Sequence, residues 1–181
     1  MDFKRIFKLI FRTFISSSLL LTSLSAQSGI QTDKWYRIKP LGDDDKCYDV
    51  CNGSQEDCAK VILYKQCNES KNQQFKFEVA PRNRSAFLIH PRHAPQKVLD
   101  ISEGSEENGA GLIQYHYITN RYNPNFKHDN QEFYVSRIGG DLYRITNVKS
   151  GLSLGFDEDD DICQYLDFGP DSIVKLEEVD Y

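Results

Sequence analysis

Cys47-Tyr48-Asp49-Val50 is followed, eleven residues after Val50, by Val61-Ile62-Leu63-Tyr64. Val98-Leu99-Asp100-Ile101 is followed with the same gap by Leu112-Ile113-Gln114-Tyr115, and the two sets stand 51 residues apart at every position. A constant offset across separated segments marks a chain built from repeated units. Tyr36-Arg37-Ile38 ends twelve residues before Val50, and Phe87-Leu88-Ile89 ends twelve before Ile101. Each copy also closes alike, with Asn72-Gln73-Gln74-Phe75-Lys76-Phe77 and Asn130-Gln131-Glu132-Phe133-Tyr134-Val135. The second ending comes seven residues late, which fits an inserted loop rich in turn formers, Asn120-Arg121-Tyr122-Asn123-Pro124-Asn125.

A third copy is fainter. Leu142-Tyr143-Arg144-Ile145 echoes the opening run, and Leu152-Ser153-Leu154 stands for Leu99-Asp100-Ile101, which puts Ser153 at the Asp position. Ile162-Cys163-Gln164-Tyr165 stands for the third run, and Asp171-Ser172-Ile173-Val174-Lys175-Leu176 for the ending. Each copy thus carries four short β-prone runs separated by Gly, Asn, Asp or Pro, and no stretch after the first 28 residues holds a 3.6-residue apolar period over three turns. Three copies of four strands predict an all-β chain, a β-trefoil of three four-stranded repeats over about 35–80, 86–136 and 142–179. One copy cannot bury its apolar face alone, whereas three closed around an axis bury it and remove exposed strand edges.

The first 28 residues read differently. Lys4, Arg5, Lys8 and Arg12 precede Phe14-Ile15-Ser16-Ser17-Ser18-Leu19-Leu20-Leu21, and small residues follow. Both Ser23-Leu24-Ser25 and Ala26-Gln27-Ser28 suit cleavage of a secretory signal peptide. The apolar run is too short, and too broken by Ser and Thr, to span a bilayer, which takes roughly 20 apolar residues. The expectation is a leader over 1–28 and one secreted, extracellular domain over 29–181, with no membrane insertion once the leader is gone. The leader carries a net +3 of the chain's −5, so the remainder stands at −8, which argues against nucleic acid or an anionic membrane as partner. Cys47, Cys51, Cys58, Cys67 and Cys163 lack any Cys-x-x-Cys knuckle, so in an exported chain the cluster of four reads as disulfides rather than a metal site. Asn-x-Ser sequons occur at Asn52, Asn68 and Asn83.

The repeats resemble the ricin B-type lectin family, whose repeats end on a Gln-x-Trp motif. Here the motif stands as Gln73-Gln74-Phe75 and Gln131-Glu132-Phe133, with Phe for Trp, and the third copy lacks it. The resemblance covers roughly Tyr36 to Val179. It implies sugar-binding sites made of an Asp on the second strand, an aromatic after the third, and the Asn of the ending. Carried onto this chain, the first would be Asp49, Tyr64 and Asn72 supported by Gln73. The second would be Asp100, Tyr115 and Asn130 supported by Gln131, with His116 the rival to Tyr115 if the register slips by one. The chemistry is sound on its own terms. A carboxylate accepts hydrogen bonds from neighbouring sugar hydroxyls, an aromatic face packs on the apolar face of a pyranose, and an amide fixes a third hydroxyl. The resemblance also implies a Cys47–Cys67 bridge, which leaves Cys51 with Cys58 and makes Cys163 odd, either a free thiol or a link to another chain.

Gly151-Leu152-Ser153-Leu154-Gly155 spells a Gly-x-Ser-x-Gly nucleophile motif, but no His follows His128 and the acidic run Asp157–Asp161 replaces the helix that motif needs. No catalysis, no cofactor and no metal are expected. Two functions remain open: a secreted carbohydrate-binding lectin whose partners are glycans or glycoproteins, or a secreted β-trefoil that binds a protein, as an inhibitor or extracellular coat component, with vestigial sugar sites.

Overall fold

The computed structural model describes residues 29–118, 129–166 and 169–179. The expected leader over 1–28 and the inserted loop around Asn120–Asn125 lie outside them. Within the described residues, the alternation of apolar and polar side chains becomes twelve strands with no α-helix. They are β1 (Trp35–Pro40), β2 (Lys46–Val50), β3 (Ala59–Lys65), β4 (Phe75–Val79), β5 (Phe87–Pro91), β6 (Lys97–Ile101), β7 (Leu112–His116), β8 (Phe133–Gly139), β9 (Leu142–Asn147), β10 (Ser153–Phe156), β11 (Ile162–Tyr165) and β12 (Val174–Val179).

The first and fourth strands of each repeat pair with each other, β1 with β4, β5 with β8 and β9 with β12, and neighbouring repeats join through β4–β5, β8–β9 and β12–β1. The six strands therefore close into a ring with no free edge. The second and third strands form three antiparallel hairpins that cap one end, touching through Ala59↔Gln114, Gly111↔Cys163 and Ile62↔Asp161. This is the expected β-trefoil.

The endings anchor the core. Phe75, Phe133 and Val174 take equivalent positions, all fully buried, and pack with Ile38, Phe77, Ile89 and Ile145 into one cluster. Phe fills the place of the family's Trp without an indole N–H that would need a buried partner. The hairpins are cross-braced from one repeat to the next. Gln114 Nε2 donates to the carbonyls of Ser54 and Glu56, both at 2.7 Å, and Gln164 Nε2 donates to those of Ser105 and Glu107 at 3.1 and 3.0 Å. The equivalent residue of repeat one is Leu63, which faces a β10–β11 turn too short to offer the same carbonyls.

Candidate functional site

Asp49 sits on the face of β2 opposite the core residues Tyr48 and Val50, across from Ile62. It is only 5% exposed, yet both carboxylate oxygens are met: Asn72 Nδ2 donates to Oδ1 at 2.9 Å and Gln73 Nε2 to Oδ2 at 2.8 Å. The second hydrogen of Asn72 Nδ2 goes to the Val50 carbonyl at 3.1 Å, so the Asn72 oxygen stays available as an acceptor. Gln73 is saturated: Nε2 also donates to the Lys65 carbonyl at 3.0 Å, and Oε1 accepts from the Cys67 N–H at 2.8 Å. At 1% exposure it sits at the base of the cavity, where it holds Asp49 and ties Lys65 to Cys67. Asp49, Ile62, Tyr64 and Asn72 line one open cavity of about 290 Å³, and Tyr64 presents its ring at 59% exposure.

Repeat two reproduces this geometry bond for bond. Asn130 Nδ2 donates to Asp100 Oδ1 at 2.9 Å and Gln131 Nε2 to Oδ2 at 2.7 Å; Gln131 also bonds the His116 carbonyl at 3.0 Å and the Ile118 N–H at 3.1 Å. Asp100, Ile113, Tyr115 and Asn130 line a cavity of about 570 Å³. The register pairs Val98 with Tyr115 just as it pairs Cys47 with Tyr64, so Tyr115 holds the aromatic position. His116 instead packs its ring on Tyr115, centroids 4.3 Å apart, and places Nδ1 2.8 Å from Asp57 Oδ2. Burial raises both carboxyls above their usual range, Asp100 to about 6, against the opposing hydrogen bonds of the two amides. Each carboxylate oxygen keeps a lone pair for an incoming hydroxyl, so the pairs Asp49–Asn72 and Asp100–Asn130 present acceptors beside an aromatic face.

Repeat three corrects the sequence alignment. The pairs Leu154↔Gln164 and Gly155↔Cys163 match Leu99↔Gln114 and Asp100↔Ile113, so the Asp position falls on Gly155 and not on Ser153. A two-residue slip preserves strand alternation, which is why apolar patterning alone did not reveal it. Gly155 lines a cavity of about 460 Å³ with Tyr165 and Asp171, but a Cβ there would stand 3.2 Å from the Tyr165 ring and 3.4 Å from the Asp171 carbonyl, so a side chain would be tight and this position carries no carboxylate. Ser172 takes the Gln position, where its hydroxyl donates to the Gly169 carbonyl at 2.8 Å. Ser153 is fully buried with its Oγ 3.1 Å from that of Thr146, unlike the exposed serine of a nucleophile elbow. In the acidic run, Asp157 Oδ1 accepts from the N–H groups of Asp159 and Asp161, and Asp160 and Asp161 pair with Lys46 and Lys60.

All five cysteines are free thiols, so neither Cys47–Cys67 nor Cys51–Cys58 is bridged in the structure. Cys47 is sealed inside, where burial pushes its thiol up to about 12, whereas Cys67 is exposed at the cavity of site one, beside Cys51. Cys163 is buried and offers no face for a link to another chain.

Two further residues come from the following repeat: His93, which the sequence reads as a surface residue of a loop, and Lys149, which it passes over. Arg92 N–H bonds the Gln74 carbonyl and Val148 N–H the Glu132 carbonyl, which makes their neighbours His93 and Lys149 equivalents. His93 Nε2 lies 2.8 Å from the Ser54 carbonyl beside site one, and its charge favours ionised Asp49. Lys149 lines the cavity of site two and donates to the Gly104 carbonyl. Each lies in the repeat after the one it serves, so a comparison of positions within one repeat passes over it.

A family profile described as ricin-type beta-trefoil lectin domain-like matches residues 27–115. No curated protein sequence matches the chain. Among solved structures, the designed three-fold symmetric protein ThreeFoil is similar at 26% identity and a TM-score of 0.67, over 81% of this chain and 99% of that one. An exo-beta-1,3-galactanase from Clostridium thermocellum is similar at 24% identity and a TM-score of 0.67, over 83% of this chain but only 31% of the enzyme. The C-half of the earthworm R-type lectin, solved with GalNAc, is similar at 16% identity and a TM-score of 0.56, over 80% of this chain and 98% of that one. The closed six-strand ring and the three hairpin caps make the chain a β-trefoil, and over residues 27–115 it is similar to the ricin-type β-trefoil lectin domains.

Proposed function

We propose that the chain is a secreted carbohydrate-binding protein whose polypeptide carries two glycan sites, Asp49–Tyr64–Asn72 and Asp100–Tyr115–Asn130. The carrying observation is that the clusters of repeats one and two repeat the same hydrogen bonds, each ending with free acceptors in a cavity beside a tyrosine. Repeat three keeps a tyrosine and a cavity of about 460 Å³ at the equivalent place but has neither the buried carboxylate nor the amide pair, so the polar set is what marks repeats one and two. The sites are shallow and largely preformed, so each binds a single sugar weakly, in the ~mM range, and clustered glycans gain by avidity. Residues 1–28 direct export and are removed, and export oxidises Cys47 with Cys67 and Cys51 with Cys58. No catalytic step belongs to this reading. A glycan array with the mature domain tests it: binding is expected, and Asp49→Ala with Asp100→Ala should abolish it while circular dichroism stays unchanged. A domain that binds no glycan but captures a protein through this surface would contradict it. Peptide mapping of the secreted product under non-reducing conditions checks the leader and the disulfides.

A further inference from the structure

We infer that Asn52 is an N-glycosylation site and that its glycan closes site one, so the exported protein reads external glycans through site two alone. The inference rests on the export proposed above. Asn52-Gly53-Ser54 and Asn68-Glu69-Ser70 are two of the three sequons, and both border site one: Asn52 and Ser70 line its cavity together with Asp49 and Tyr64. The third sequon, at Asn83, lies in the β4–β5 turn and lines neither site. No sequon occurs after Asn83, so site two has none.

The fold gives no reason for Asn at position 52. Its φ of 58° is left-handed, a conformation Asn tolerates, but Glu103 adopts the same φ of 58° at the equivalent tip in repeat two. The carboxamide of Asn83 is engaged with Ser85 and Tyr134 and that of Asn68 with Gln66, whereas Asn52 is exposed at the outer tip of its turn, on the rim of the cavity. The neighbouring Gly53 lies against Asn72, whose Cγ is 3.8 Å from where a Gly53 Cβ would stand, so the tip lies beside the Asp49–Asn72 pair.

The transfer uses a lipid pyrophosphate-linked oligosaccharide. The Asn52 Nδ2–C1 bond forms, the C1–oxygen bond to the pyrophosphate breaks, and the Nδ2 proton leaves with the pyrophosphate. An oligosaccharide rooted on the rim of a 290 Å³ cavity fills its mouth. Tethered sugars act at an effective concentration in the ~mM range, comparable to a weak single-site dissociation constant, so steric cover and self-occupancy act together.

The test secretes the full chain from a cell that N-glycosylates and reads site occupancy by peptide mass. Retention on an immobilised glycan is then compared, using the glycan best bound by unglycosylated protein. Asn52 is expected to be occupied. Secreted Asp100→Ala, which has only site one, should fail to bind, and adding Asn52→Gln or Ser54→Ala should restore binding at least tenfold. Adding Asn68→Gln instead should not. An unoccupied Asn52, rescue by Asn68→Gln alone, or Asp100→Ala binding within twofold of its Asn52→Gln partner would overturn the inference. If Asn52→Gln and Ser54→Ala both fail to rescue while secreted Asp49→Ala binds, the closure of site one is wrong and the lectin reading stands. If no variant binds, both fall.

Discussion

Repeats two and three share a scaffold, a tyrosine and a cavity at equivalent places, and differ in the polar groups between them. Both send first and fourth strands into the ring and a hairpin to the cap. Repeat two carries Asp100, the short 3-10 turn Ser102–Gly104, and the Asn130–Gln131 pair. Repeat three has Gly155 for the Asp, joins β10 directly to β11 through a tight turn, and has Asp171–Ser172 for the amides. The losses are coupled. A buried carboxylate without its amides would be an unpaired charge, and amides without their carboxylate would be unsatisfied polar groups, so the set is kept or lost together. The strand pairing of the ring is indifferent to which set is present.

The largest test of this contrast is to break one set. Gln131→Leu strips Asp100 Oδ2, the His116 carbonyl and the Ile118 N–H of a partner, and should cost about 3 kcal/mol in chemical denaturation. Ser172→Ala, at the equivalent position, should cost about 1 kcal/mol, since its hydroxyl donates to one carbonyl within its own turn and accepts only a long bond from Arg144 Nε, at 3.4 Å. Equal costs would mean that the amide is not what holds the carboxylate. Next is the transplant. Gly155→Asp should destabilise by about 1–3 kcal/mol and create no sugar site, because the new Cβ meets the Tyr165 ring and no amide pair awaits it.

Sites one and two should then part with pH. Asp100, raised by burial to about 6 from 3.8, favours the folded state when protonated. That stability is fully present below about pH 4 and is lost as pH rises through 6, on the order of 2–3 kcal/mol. Binding at the proposed sites should run the other way, since there the ionised carboxylate would be the acceptor. Retention by Asp49→Ala protein, which has only site two, should weaken as pH falls below about 6, while that of Asp100→Ala protein made without glycosylation persists further into acid. The smallest effect concerns Tyr48, whose hydroxyl is buried without a partner where repeat two has Leu99. Tyr48→Phe should be neutral or stabilising by about 1 kcal/mol in thermal melts, against the usual loss for a core substitution.

The ring and the repeats were legible in the sequence because the 51-residue offset ties apolar residues to one face of a strand, and only one packing buries all three copies. Asp49 and Asp100 were legible for the same reason, and their amides because the Asn-Gln-x-Phe ending recurs in both copies, seven residues late in the second. Three features were not. The Asp position of repeat three slid by two residues, since strand alternation is blind to an even slip. His93 and Lys149 act across repeats, and the saturation of Gln73 and Gln131 depends on hydrogen-bond counts that only coordinates supply.

The central claim is that repeats one and two each hold a sugar site while repeat three completes the barrel. Calorimetric titration of the unglycosylated mature domain with the monosaccharide it binds best counts the sites directly. A stoichiometry of two is expected, falling to one in Asp49→Ala and in Asp100→Ala and to zero in the double variant. A stoichiometry of three, or binding that survives the double variant, would contradict it.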